Sequence, residues 1–242
     1  MSEKPFAGRV AVVTGASRGI GYAAALAIAD AGAHVVAVAR TVGGLEELDD
    51  AIKAKGGSAT LVPLDVKDGA GIDRLGAAIY QRWGRLDMLL GNAGILGAVT
   101  PVAHLDPKVW DDVLATNLTA NWRLIRSLDP LLRAADAGRA LFISSGIVSV
   151  RLPYWAAYTV PKVALEALVA IYAAEIRNTR ARVNLFNPGP LRTKLRAHGI
   201  PGEDPATVKP PETVTPDILR MLSPDFTDNG IVRDLEAGDR TA

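Results

Sequence analysis

Short apolar runs alternate along this chain with longer stretches of helical periodicity. Six runs rich in valine, isoleucine and leucine predict buried strands, at 9–14, 34–39, 59–64, 86–90, 139–144 and 182–186. Helical patterns lie between and after them, at about 19–31, 43–56, 68–83, 107–135 and 155–178. Strands that alternate with helices predict an α/β fold with a doubly wound parallel sheet flanked by helices.

The alternation continues to about Asn187, and no linker interrupts it. We therefore expect a single domain over residues 1–242. The segment 194–216 differs, because it holds five prolines and two glycines and no clear periodicity. Such a stretch inside a compact chain predicts an irregular loop that serves as a substrate lid.

Composition narrows the function classes. The net charge is +1 and the charges are scattered, which argues against a nucleic-acid partner. The chain has no cysteine, which excludes disulfides and thiol catalysis and agrees with a cytoplasmic location. Residues 1–5 do not resemble a secretory signal, and the apolar region 22–39 is broken by polar residues, so we expect no membrane span. The three histidines lie far apart in the sequence, so we expect no metal site.

A glycine-rich turn follows the first predicted strand and opens the first predicted helix. Gly15, Gly19 and Gly21 have the spacing Gly-x-x-x-Gly-x-Gly. Glycines there let the backbone approach a pyrophosphate, and the helix N-terminus offers free N–H groups to hold it. An ordinary glycine-rich turn is the alternative, but the order of strand, loop and helix favours a dinucleotide site in a Rossmann-type fold.

Arg40 lies 19 residues past Gly21, at the end of the second predicted strand. NAD-binding sheets of this type carry an acidic residue near this point, which binds the ribose 2′-hydroxyl. A guanidinium instead pairs with a 2′-phosphate, and Arg18 is a second candidate partner. NADP(H) is therefore favoured, NAD(H) stays possible, and the alternative is that Arg40 only ends a strand in solvent.

Tyr158 and Lys162 are four residues apart, on one face of a predicted helix. A fixed cation lowers the pKa of a nearby tyrosine, which can then exchange a proton with a carbonyl or alcohol oxygen. Ser144 and Ser145 end the fifth strand, and alternation lets only one of them reach the cleft. Each residue by itself has a structural alternative: Tyr158 could be a packed aromatic side chain, and Lys162 a solvated surface lysine.

In this order and spacing the motifs resemble the short-chain dehydrogenase/reductase family, in its single-domain form, from about Gly8 to Thr193. The resemblance implies catalytic roles for Asn117, Ser145, Tyr158 and Lys162. It implies cofactor contacts for Gly15, Ser17, Arg18, Gly19, Ile20, Gly21, Arg40, Thr41, Asp65, Val66, Asn92, Ala93, Gly94, Tyr158, Lys162, Pro188, Gly189, Leu191 and Thr193.

Some positions depart from the family pattern or allow two interpretations. Asn117 lies in an apolar helical stripe, so it is either bonded to core backbone or, by resemblance, holds a water linked to Lys162. Pro161 sits between the catalytic pair and is tolerated if the helix begins near Trp155. The stretch 226–235 only loosely resembles the family's last strand.

These observations favour an NADP(H)-dependent oxidoreductase that reduces a carbonyl to an alcohol, reversibly, with a proton from Tyr158. An NADP-binding sensor without turnover stays open, as does another reaction of the family, such as epimerisation or dehydration. The 49 residues after Thr193 are few for the large substrate domain of nucleotide-sugar enzymes. By resemblance, Ile147, Leu152, Tyr154 and Trp155 suggest an apolar carbonyl substrate, and Arg151 and Arg196 suggest an acidic tail on it. The resemblance also implies a homodimer or homotetramer through the helices at 107–135 and 155–178.

Overall fold

One eight-stranded sheet organises the computed structural model, which describes residues 4–242. Its strands are β1 Val10–Thr14, β2 His34–Ala39, β3 Ser58–Pro63, β4 Met88–Gly91, β5 Arg139–Ile143, β6 Arg182–Asn187, β7 Ile231–Asp234 and β8 Arg240–Thr241. They lie in the order β3-β2-β1-β4-β5-β6-β7-β8, and every neighbouring pair is parallel except β7 with β8. The predicted α/β fold with a doubly wound parallel sheet is confirmed.

Helices cover both faces of this sheet. They are α1 Gly19–Asp30, α2 Val42–Ala54, α3 Gly69–Trp83, α4 Pro107–Leu114, α5 Ala120–Ala134, α6 Ile147–Val150, α7 Ala156–Ile176, α8 Lys194–Gly199 and α9 Thr215–Leu222. Successive residues of β1 pack into two different cores, Val12 against α3, α5 and α7, and Val13 against α1, α2 and α9. Both faces of β1 are therefore buried, which explains why this strand reads as a continuous apolar run.

Side chains cap the beginnings of α3, α4 and, through Thr193, α8. Asp68 accepts a hydrogen bond from the backbone N–H of Gly71 and so begins α3. Asp106 caps α4 in the same way, and Pro107 occupies its first turn. The N-cap residue of α1, Arg18, makes no side-chain cap, so the first N–H groups of α1 are left for another partner.

The helix predicted at 107–135 is interrupted. Ala115–Thr119 forms one π-helical turn between α4 and α5, and Asn117 lies in this turn. A π-turn widens the helix by one residue and is often found at functional sites. The helix α7 begins at Ala156, as predicted, and Pro161 is accommodated inside its second turn.

The segment 194–216 is more regular than the sequence predicts. It contains α8, two 3₁₀ turns at Pro205–Thr207 and Pro211–Val214, and the beginning of α9. The predicted last strand at 226–235 is present as β7, and β8 follows it without having been predicted. Residues 1–3, part of the stretch in which no secretory signal was expected, lie outside the described residues. None of the helices within residues 4–242 has the length and apolar character needed to cross a bilayer.

Candidate active site

A cleft of about 560 Å³ opens at the carboxyl ends of the parallel strands. It is lined by the loops that follow β1, β2, β3, β4, β5 and β6, together with residues of α7 and α8. Ligands of doubly wound sheets bind at this edge, where neighbouring loops diverge. The fold therefore places a binding site where the sequence motifs converge.

Nearly all of the predicted site residues line this one cleft. They are Gly15, Ser17, Arg18, Gly19, Ile20, Arg40, Thr41, Asp65, Val66, Asn92, Ala93, Gly94, Ser145, Tyr158, Lys162, Pro188, Gly189, Leu191 and Thr193. Two predicted residues, Gly21 and Asn117, do not line it and lie behind its wall.

The glycine loop has the shape that a phosphate group needs. Gly15 and Gly19 have φ angles of 67° and 58°, a left-handed conformation that glycine adopts without strain. A side chain on Gly21 would collide with the carbonyl oxygen of Gly15, so Gly21 keeps the loop folded against α1. The uncapped N-terminus of α1 opens into the cleft beside this loop. The residues present therefore fit a dinucleotide pyrophosphate.

Thr14 ties the glycine loop to the loop after β4. Its buried hydroxyl accepts hydrogen bonds from the backbone N–H groups of Asn92, at 2.9 Å, and Ala93, at 3.1 Å. The Asn92 amide returns a bond of 2.9 Å to the carbonyl oxygen of Thr14. These bonds fix the floor of the cleft, a role for Thr14 that the sequence motif did not reveal.

Arg40 stands at the rim of the cleft with 56% of its side chain exposed. Its Nη1 atom is 3.8 Å from a carboxylate oxygen of Asp65, which is also 3.7 Å from Nζ of Lys67. Two cations thus share one carboxylate at the end of the cleft beside β2 and β3. Lys67 is held more closely by Asp112, at 2.5 Å, so the exposed guanidinium of Arg40, with its 3.8 Å contact to Asp65, is the cation of this pair that is open to a phosphate.

Tyr158 and Lys162 meet at the other end of the cleft, both almost wholly buried. Burial raises the pKa of Tyr158 to about 12, and a hydrogen bond with Ser145 opposes this only in part. Lys162 Nζ lies 5.7 Å from the centre of the tyrosine ring and donates a 2.6 Å hydrogen bond to the carbonyl of Ile143. The expected lowering of the tyrosine pKa by Lys162 is therefore wrong for the protein as it stands, because burial outweighs the hydrogen bond with Ser145, which is the opposing effect.

Burial also lowers the pKa of Lys162, to about 8, and the carboxylate of Glu166 opposes this shift. Glu166 accepts a 2.5 Å hydrogen bond from the hydroxyl of Ser144. Both serines contribute to the cleft lining, but the hydroxyl of Ser144 is buried and occupied by Glu166, which leaves Ser145 as the serine for a substrate.

Asn117 is fully buried, and backbone atoms satisfy its side chain. Its amide oxygen accepts from Ile95 N at 2.9 Å, and its amide nitrogen donates to Ile95 O at 2.8 Å. The backbone carbonyl of Asn117 accepts a 2.7 Å bond from the side chain of Asn121. The sequence left two interpretations of Asn117 open, and these contacts match the one in which its side chain bonds to backbone in the core.

The mouth of the cleft is apolar around Tyr158. The side chains that pack there are Leu96, Ile147, Val148, Trp155 and Leu195. The ring of Trp155 meets that of Tyr158 edge-on, with centroids 6.4 Å apart.

The two arginines that suggested an acidic substrate are not free in this mouth. Arg196 is held by both oxygens of Glu203, at 2.7 and 2.6 Å. Arg151 lies in the exposed loop before α7 and does not line the cleft. Neither of these two arginines therefore presents a free guanidinium to a substrate carboxylate in the cleft, whereas the exposed Arg192 and Lys194 line it beside Arg196.

The family model for short chain dehydrogenases matches residues 9–203, which is most of the chain. The chain belongs to the short-chain dehydrogenase/reductase family. It is similar to the oxidoreductase YciK of Escherichia coli, with 36% identity over 90% of this chain and 87% of that protein. A short-chain dehydrogenase from Pseudomonas syringae is 37% identical, with a TM-score of 0.91 and 94% of both chains covered. Another, from Escherichia coli and solved with NADPH, is 34% identical, with a TM-score of 0.90 over 98% of this chain and 100% of that one.

Membership in the short-chain dehydrogenase/reductase family makes the protein an NAD(P)-dependent oxidoreductase. The fold predicted from alternating strands and helices is the fold of these solved relatives. Sequence reasoning missed Thr14 and Glu166, which support the cleft, whereas Leu195 belongs to the predicted lid and lines it. The spacing of Glu166, four residues past Lys162, is the signal that could have identified it.

Proposed function

We propose that this protein is an NADP(H)-dependent reductase that converts a carbonyl to an alcohol, reversibly. The observation that carries the proposal is a single cleft with Tyr158, Ser145 and Lys162 at one end and Arg40 at the other. The relative from Escherichia coli solved with NADPH supports the choice of cofactor.

The cofactor would lie along the carboxyl edge of the sheet. Gly15, Gly19 and the N-terminus of α1 would hold the pyrophosphate, and Arg40 with Arg18 would pair with a 2′-phosphate. The adenine would lie near Asp65 and Val66. The remaining contacts would come from Ser17, Ile20, Thr41, Asn92, Ala93, Gly94, Lys162, Pro188, Gly189, Leu191 and Thr193, with Gly21 supporting the loop.

When bound, the nicotinamide supplies the hydride that reduces the carbonyl carbon. Tyr158 donates its phenolic proton to the carbonyl oxygen, and Ser145 holds that oxygen by a hydrogen bond. Lys162 places a positive charge 5.7 Å from the tyrosine ring, where it stabilises the phenolate that remains after donation. The phenol of Tyr158, whose pKa burial raises to about 12, is protonated at neutral pH like any tyrosine, and this is the form that reduction needs.

Asn117 supports this chemistry from behind the cleft wall. Its two bonds to Ile95 fix the loop after β4, which lines the cleft beside the predicted nicotinamide site. A water relay from Asn117 to Lys162, which the family resemblance implies, remains part of this proposal. The complete set of Asn117, Ser145, Tyr158 and Lys162 favours catalysis over a sensor that only binds NADP.

The substrate that fits best is a neutral carbonyl compound with an apolar body. Trp155 and Leu195 line the cleft beside Tyr158, Leu96 and Ile147 pack behind them, and Arg196 is already paired with Glu203. An apolar substrate would lose water contact there without leaving a charge unpaired.

We further propose that the protein acts as a homodimer, formed through α5 and α7. From residue 160 to 174 the exposed positions of α7 carry no charge, and Val160, Val163 and Ile171 are 44%, 39% and 59% exposed. Trp122 of α5 is 43% exposed as well. An apolar helix face pairs with its own copy across a two-fold axis. We also infer a single domain, since all eight strands share one sheet, and a cytoplasmic location, which the absence of cysteine suits.

The test follows NADPH oxidation against matched pairs of carbonyl compounds, one neutral and one carboxylated, with Tyr158→Phe as the matched variant. We expect turnover of neutral apolar carbonyls and a loss of about 10²–10⁴-fold in kcat in the variant, with NADPH binding retained. NADPH binding without turnover of any carbonyl would favour the sensor. An unchanged kcat in the variant would remove Tyr158 from the chemistry.

A further inference from the structure

Glu166 is a buried carboxylate one helical turn beyond Lys162. The two residues are four positions apart on α7, so their side chains lie on the same face of the helix. Glu166 is only 7% exposed and does not line the cleft. A buried carboxylate is unfavourable unless it is paired and hydrogen-bonded, so the partners of Glu166 matter.

Those partners come from two distant parts of the chain. The hydroxyl of Ser144, at the carboxyl end of β5, donates to Oε1 of Glu166 at 2.5 Å. Arg240 of β8 donates from Nη2 to both carboxylate oxygens, at 2.9 and 2.7 Å. One carboxylate thus joins the helix that carries Lys162, the strand end that carries Ser145, and the last strand of the sheet.

The charges around this carboxylate form a short chain. Lys162 lies on one side of it, and the carboxylate favours the protonated lysine against the effect of burial. Arg240 lies on the other side, and it also faces Asp234, whose pKa it helps to lower. Ser144 is the neutral member. Arg240 therefore offsets the cost of burying Glu166 so close to the cleft.

We infer that Glu166 is a positioning residue that couples the C-terminal strand β8 to Lys162 and Ser145, with Arg240 as its anchor. The inference rests on the roles proposed above for Lys162 and Ser145. The C-terminal hairpin of β7 and β8 thereby supports the acid–base end of the cleft without touching the substrate.

The first variant is Glu166→Gln, which keeps the size of the side chain and a hydrogen bond to Ser144 but removes the charge. The protonated form of Lys162 then loses its nearby anion, so its pKa falls. We expect the alkaline limb of the kcat profile to move to lower pH by about one unit, while KM for the carbonyl changes less than about twofold. A residue needed only for stability would lower the melting temperature and leave the limb in place.

The second variant is Arg240→Ala, studied with and without Glu166→Gln. If Arg240 acts through Glu166, its removal changes kcat several-fold in the parent enzyme and has no further effect in the Glu166→Gln background. Arg240→Lys restores part of the loss, because it keeps the positive charge. The control is Asp239→Asn on the same hairpin, which breaks a 3.0 Å pair with Arg233 and should leave the pH profile unchanged.

Additive effects of the two substitutions, or an unshifted limb in Glu166→Gln, would overturn the inference. Its failure can be told apart from failure of the proposed function. If the parent binds NADPH but reduces no carbonyl, the proposed function fails, and the inference is tested on the pH dependence of NADPH affinity, measured by NADPH fluorescence. Glu166→Gln should shift that dependence in the same direction, because Lys162 lines the same cleft. An unshifted dependence would refute the coupling.

Discussion

Replacing Arg40 by glutamine tests the source of the cofactor preference. The substitution keeps a polar side chain at the rim of the cleft but removes the guanidinium charge. NADPH carries a 2′-phosphate that NADH lacks, so only NADPH loses a partner. We expect kcat/KM for NADPH to fall while kcat/KM for NADH stays within about twofold of the parent.

The size of the effect follows from the exposure of Arg40. A hydrogen bond to a charged group contributes about 1.5–3 kcal/mol. Because 56% of the Arg40 side chain is exposed, solvent screens the pair, and the lower end of the range applies. A loss of about 1.4 kcal/mol lowers the NADPH to NADH ratio about tenfold. The pair with Asp65, at 3.8 Å and exposed, adds little to this figure.

The assay measures kcat/KM for both cofactors with one carbonyl substrate, at two salt concentrations. The parent should lose part of its NADPH preference at high salt, and the Arg40→Gln variant should lose less. The control is Arg74→Gln, which removes an equally charged and more exposed side chain (71%) on α3, outside the cleft. Equal losses with NADPH and NADH, or the same loss in the control, would refute the assignment of Arg40 to the phosphate.

Two further predictions concern stability and assembly. Burial lowers the pKa of Lys162 to about 8, so the charged lysine destabilises the folded protein below that pH. This destabilisation decreases as the pH rises from about 8 toward the pKa that the lysine has in the unfolded chain. The stability of the parent relative to Lys162→Met should therefore rise by about 2 kcal/mol between about pH 8 and about pH 9.5 in urea unfolding, and a constant difference would contradict the buried charge. Ile171→Asp should give the mass of a single chain by light scattering at micromolar concentration. The control is Val42→Asp on α2, where the parent side chain is 49% exposed, and it should keep the mass of the dimer. A parent protein that is already monomeric would contradict the proposed dimer.

The strands of the sheet could be predicted because burial leaves a continuous apolar signal. The strands β1 and β2 are buried along nearly their whole length, so their sequences are almost entirely valine and alanine. Their observed bounds agree with the predicted ones to within a residue. The strand β8 has two residues, Arg240 and Thr241, and carries no such signal. It forms because β7 offers it an edge, which only the folded sheet contains.

The site was predictable as far as its residues form local strings. The glycine loop and the Tyr-x-x-x-Lys pair each lie within nine residues of chain, and they line the same cleft. The pair of Glu166 and Arg240 joins positions 74 residues apart, and neither residue belongs to a motif. Such a contact depends on how the last strand returns to the sheet, so local spacing does not encode it.

Tyr158 shows where spacing stops being informative about chemistry. The interval of four residues correctly places Lys162 beside the ring, but it fixes only a distance. The pKa of the phenol depends also on how much water the fold removes, and here burial raises it to about 12. A phenol with this pKa is protonated at neutral pH, as reduction requires, and the charge of Lys162 beside the ring stabilises the phenolate that proton donation leaves. Spacing therefore predicts which two side chains meet, whereas the acid–base behaviour of the pair depends on burial, which only the folded protein determines.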